Sequence, residues 1–180
     1  MIEGTTRELI RLFREHAEEN TVLNAGSIVE IVTLPVIVLN GPMLTEKKRL
    51  MRDPERITAI DLETGQAVRE VPPRWYDVRF DVNITCESSI ALVKLIEKLS
   101  RMNQGYALLT ARSPERERQY LWSYELPPQV STTPNISQVA QGRAGIIVYD
   151  VEVYSGLRDV WPLIEKVKVD IDKDKVEVQS

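Results

Sequence analysis

The chain has 180 residues, 43% of them hydrophobic and 28% charged, with 23 basic against 27 acidic side chains and a formal net charge of −4. That length fits one domain able to bury about two thirds of its unfolded surface, and the composition excludes a disordered chain, a collagen-like repeat and a coiled coil. The slight acidic excess argues against a nucleic-acid binder, which would carry a basic surplus or face, and the lone Cys86 builds neither an internal disulfide nor a thiolate metal cage.

With one cysteine, and with neither a basic leader nor an apolar signal core in Met1 to Glu8, the expectation is a reducing, intracellular folding compartment. The most apolar stretch, Ile28 to Leu39, is interrupted by Glu30, Thr33 and Pro35. It falls well short of the ~20 residues that span a bilayer.

In chain order, Thr6 caps a helix running through Asn20, with Leu9, Ile10, Leu12, Phe13 and Ala17 on its apolar stripe. Ile28 to Leu39 then predicts a buried strand stopped by a turn at Asn40-Gly41-Pro42, with Pro35 marking a bulge or an edge. Met43 to Arg56, rich in Lys47, Lys48, Arg49, Arg52 and Arg56, predicts an exposed loop. Ile57 to Asp61 and Gln66 to Val71 flank Leu62-Glu63-Thr64-Gly65 and predict a projecting β-hairpin.

From Tyr76 to Cys86 every second residue is apolar, which predicts a half-buried antiparallel strand with Tyr76, Val78, Phe80, Val82, Ile84 and Cys86 facing the core. Ser88 or Ser89 caps a second helix to Met102, striped by Leu92, Val93, Leu95, Ile96 and Leu99 and ended by Asn103-Gln104-Gly105. Tyr106 to Thr110 predicts a strand, Arg112 to Arg118 a charged loop, and Tyr120 to Tyr124 another strand. Pro127 to Gly145 holds three prolines, two glycines and no acid, and predicts a long loop of the kind that carries function or lacks order. Ile146 to Tyr154 alternates again and should pair with the Tyr76 strand. After Gly156, Val160 to Ile164 predicts a short turn or helix, and Lys166 to Val178 one or two exposed strands. Residues 1–156 thus form one α+β domain, a mostly antiparallel mixed sheet on two amphipathic helices, and 157–180 a C-terminal extension.

Chemical sites are sparse. His16 is the only histidine, which by count excludes histidine-based triads and multi-histidine metal sites. It borders the first helix's apolar stripe and is expected to serve packing or the surface. Cys86 ends the apolar face of the best strand and is expected to be core. Asp77 and Asp81 offer paired carboxylates for acid/base or cation chemistry, but solvated alternation explains them. The eight glycines are scattered, with no phosphate-binding loop or dinucleotide fingerprint. Catalytic, cofactor and metal residues are therefore all expected to be absent.

The order of elements is a helix, a strand like Leu34-Pro35-Val36-Ile37-Val38-Leu39, a polar excursion, a strand like Trp75 to Cys86 entering a helix like Ser88 to Met102, and a closing strand like Gly145 to Tyr154. This order resembles that of phage tail terminator proteins over about residues 6–154. The hairpin at 57–71, the 127–145 loop and the tail after 156 depart from the family's smaller members. The resemblance implies a virion subunit assembled in the host cytoplasm as a homo-oligomeric, usually hexameric ring. Such a ring caps the tail tube, stops its polymerisation and presents its other face to the head-tail connector protein.

By the same analogy, contacts to neighbours and tube fall on Lys47, Lys48, Arg49, Arg52, Arg112, Arg116, Arg118 and Arg143. It implies no small-molecule substrate, no cofactor, no membrane and no sequence-specific nucleic acid. Competing readings are another neck or tail subunit, such as a connector or tube-like protein; a ferredoxin-like nucleic-acid module with Tyr76 and Phe80 as stacking platforms; and an enzyme with a carboxylate-only or metal-assisted site.

Overall fold

The computed structural model describes residues 1–24, 33–47, 56–61, 66–70, 73–113, 116–131, 139–154 and 158–162. They fall into two compact units, residues 1–52 with 73–154, and residues 53–72 with 155–180. The larger unit is α+β.

Helix α1 spans Ile2–His16. It starts four residues before the expected cap: Thr6 lies inside it, and its hydroxyl donates back to the Ile2 carbonyl at 3.0 Å, as Thr5 does to Met1. It also ends earlier than Asn20, because the amides of Ala17 and Glu18 both close on the Phe13 carbonyl. Thr21 Oγ1 then donates to Glu18 O at 2.6 Å and turns the chain into β1, Thr21–Asn24, a short strand the hydropathy pattern did not predict. Helix α2, Ser89–Met102, begins as expected, with Ser88 Oγ accepting the amide of Ala91 at 3.2 Å.

Strands β2 (Val36–Glu46), β5 (Arg74–Cys86), β6 (Ala107–Arg112), β7 (Glu117–Val130) and β8 (Ala140–Val153) join β1 in one sheet, ordered β1-β2-β5-β8-β7-β6. Among the described residues of this sheet only the β1–β2 pair is parallel. The two alternating segments lie side by side, with Val78 opposite Val148, Phe80 opposite Ile146 and Val82 opposite Ala144. Their apolar rows face α1 and α2. Phe80, Val82, Ile84, Ile146 and Val148 are at most 1% exposed, and burial of each is worth about 1.5–3 kcal/mol. Helix α1 packs against both edge strands, β1 and β6, so the sheet curls round it.

Three segments expected to be loops are partly strand. Asn40-Gly41-Pro42 does not stop β2: Asn40 pairs with Asp81 and Met43 with Arg79, so Gly41 and Pro42 bulge together opposite Phe80. Gly41 has φ +143°, and a Cβ there would meet the Arg79 carbonyl and the Phe80 ring. The 43–56 loop is therefore strand to Glu46, while residues 48–55 lie outside the described residues. Pro35 precedes the strand instead of bulging it, and the expected 28–32 portion lies outside the described residues.

Likewise the 127–145 segment is β7 to Val130 and β8 from Ala140, with 132–138 outside the described residues. Pro127 and Pro128 are accommodated where the β7–β8 register shifts between Leu126 and Gln129. The charged loop 112–118 shrinks to the turn of a hairpin that pairs Arg112 with Glu117 and Ala111 with Arg118. Among the two stripes, Ile10, Leu12 and Ile96 are only half buried and Val93 is 49% exposed. Tyr76 is half buried beside a bulge between Tyr76 and Val78.

The smaller unit contains an antiparallel sheet ordered β3-β4-β9, from Arg56–Asp61, Gln66–Glu70 and Arg158–Pro162. The expected hairpin is present, with Asp61 opposite Gln66. Val160 to Pro162 is strand, not turn or helix, and pairs with β4. Leu163 to Ser180 lies outside the described residues.

Candidate interaction surface

The eight predicted contact residues separate. Lys48, Arg49 and Arg52 lie outside the described residues. Lys47, at the end of β2, is not a free surface cation: its Nζ sits 2.9 Å from Asp77 Oδ1 and 2.7 Å from Asp150 Oδ1, with its side chain 19% exposed. Burial works against its charge, but the hydrogen bonds and charges of the two carboxylates outweigh that and hold its pKa above the ordinary lysine value. Asp150 adopts φ +54° where β8 bulges, and its amide donates to Asp77 Oδ1 at 3.2 Å. This cluster fastens β2, β5 and β8 together. It leaves Asp77 engaged and Asp81 exposed, so these two carboxylates form no joint acid/base pair.

Arg112, Arg116 and Arg118 do gather, around the β6–β7 turn. Arg112 Nε pairs with Glu117 at 2.9 Å, and the Arg116 guanidinium lies 3.7 Å from the centre of the Tyr154 ring. Arg118 Nε stands 3.7 Å from Glu152, which also accepts the Tyr154 hydroxyl at 2.7 Å. Burial foremost, then that bond to Glu152, raises the Tyr154 pKa above the ordinary tyrosine value. Arg143 lies elsewhere, exposed near the other end of β8 and paired in register with Asn83 and Gln129.

Charge counting missed the apolar component of the same hairpin. Tyr106, Leu108 and Leu121 are 71%, 61% and 49% exposed, and Leu108 sits opposite Leu121. The Tyr106 ring lies 5.8 Å from that of Tyr149, tilted by 54°, and the Tyr149 hydroxyl is 2.9 Å from Ser123 Oγ. An alternation signal was present: Ala107, Leu109 and Ala111 share one face, which puts Leu108 on the other. Among the described residues β6 is an edge of the sheet, so this apolar row lies beside a strand with a single ladder neighbour.

Among the described residues no group of three or more His, Cys, Asp and Glu side chains is placed to hold a metal ion, and no helix is long and apolar enough to cross a membrane. His16 is exposed on the last turn of α1. Cys86 is buried, and its thiol is pushed up to about 11 by burial first and then by the carboxylates of Glu87 and Glu18. Neither protein-family models nor curated proteins gave a match to this chain.

Proposed function

We propose that the protein is a ring-forming structural subunit of a phage tail, a tail terminator that caps the tail tube and meets the head-tail connector. The observation that carries this reading is the edge hairpin β6–β7, where exposed Tyr106, Leu108 and Leu121 adjoin a sheet edge and a turn lined with Arg112, Arg116 and Arg118. Isolated exposed apolar residues are common on monomers, whereas an apolar row beside a sheet edge favours association. The sheet's two edges differ, β1 at one side and β6 at the other. A contact between unlike surfaces is heterologous and closes into a ring when its rotation permits.

Burial of Phe80, 1% exposed, disfavours the nucleic-acid module, which needs that ring free for stacking. Solution mass, measured alone and with tail-tube protein added, tests the proposal. Rings, or rings formed on tube ends, are expected, and Leu121→Asp should abolish them while leaving the circular dichroism unchanged. A persistent monomer that ignores the tube removes the terminator reading. Rings that form but do not stop tube growth favour another neck subunit.

A further inference from the structure

A cleft of about 450 Å³ opens between α1, the C-terminal turns of α2 and the start of β6. Leu12, Met102, Ala107 and Leu108 make its apolar walls. Its remaining lining is Trp122, His16, Lys98 and Arg101, and the character of these four decides what it would hold. Among the described residues no carboxylate, hydroxyl or amide side chain lines it, so apart from a neutral imidazole nitrogen of His16 and the weakly accepting Met102 sulfur its side chains offer donors.

Two of these side chains carry polar groups without partners. Trp122 is 1% exposed, and its buried indole Nε1 has no hydrogen-bond acceptor, a state that is costly for a buried polar group. Arg101 makes no ion pair among the described residues. Lys98 Nζ donates once, to the Ala17 carbonyl at 3.2 Å, leaving further protons free. The volume falls within the range of small-molecule pockets, and apolar walls with a few convergent polar groups are what such pockets present.

We propose that this cleft binds a small anionic amphiphile, a short alkyl or aryl body carrying a carboxylate-like head. The head would be held by Arg101 and Lys98, and the body would lie along Leu12, Met102 and Ala107. A cationic or uncharged amphiphile of the same length fills the apolar walls but leaves the donors unanswered or repelled, so the head sets the selectivity. Ring assembly is not required: a chain that stays monomeric still binds.

Calorimetric titration of the full chain with decanoate tests this, with decanol and decyltrimethylammonium as comparators. Saturable one-to-one binding of decanoate is expected, at least about tenfold tighter than either comparator, with the Trp122 indole N–H resonance shifting on titration. Arg101→Gln should weaken binding about tenfold. Lys98→Gln should do the same by removing the second cation, and at an exposed position it leaves the fold intact. No saturation at millimolar decanoate overturns the proposal. So does equal binding of decyltrimethylammonium, or affinity unchanged in both variants.

Discussion

Gly4 sits in the first turn of α1, where alanine would ordinarily stabilise a helix by about 1 kcal/mol. Here a Cβ would lie 2.3 Å from the Arg112 carbonyl oxygen, a backbone atom of β6 that cannot swing aside. Overpacking of about 1–3 kcal/mol outweighs the propensity gain, so Gly4→Ala should lower the urea midpoint; a raised midpoint would mean that α1 does not seat on β6. Titration supplies a second check on individual side chains. Burial foremost raises Cys86 to about 11 from 9.0, and it raises Tyr120, helped by Glu152, to about 12 from 10.0. Because the folded values lie above the unfolded ones, folding retains these protons. Their contribution is therefore full below about pH 9 and is lost as pH rises through 11 to 12. Urea midpoints should decline across that window, and Cys86→Ala should flatten the decline. A midpoint that is already flat in the parent chain contradicts the buried, protonated thiol.

The elements legible in the sequence are those whose local chemistry agrees with their tertiary setting. The alternation of Val78, Phe80, Val82, Ile84 and Cys86 specified β5 and its inward face, and Ser88 specified the start of α2. Two of the strands that escaped reading share one cause: residues that ordinarily break structure are absorbed by bulges. Gly41 and Pro42 sit in one and Pro127 and Pro128 in another, so two strands continue through sequences that read as turn and loop. β1 has four residues, too few to show a period, and is held by its ladder to β2. The candidate surface was half legible for a similar reason. A positive residue looks the same in sequence whether it is free, like Arg143, or bound between Asp77 and Asp150, like Lys47, and those two carboxylates lie far from it in the chain. Cross-strand pairing decides which is which.

At the scale of the whole molecule, the larger unit has its own core. Among the described residues, the buried cluster from Leu9 and Phe13 through Val151 is drawn from residues 1–52 and 73–154. The chain leaves this unit after β2 and re-enters at β5, and these two points are adjacent: Glu46 pairs with Tyr76, and the Lys47 amide donates to the Trp75 carbonyl at 2.9 Å. Closing so short a gap costs little loop entropy. A variant with residues 53–72 replaced by a short glycine-serine linker and the chain ended at Tyr154 should therefore fold. It should unfold in one cooperative transition, with a smaller denaturant slope that reflects the lost surface. Since Tyr106, Leu108 and Leu121 all belong to the retained part, ring assembly should survive as well. A variant without a cooperative transition would show that the core is shared between the units. A folded variant that no longer assembles would move the lateral contact from the β6–β7 edge to the smaller sheet.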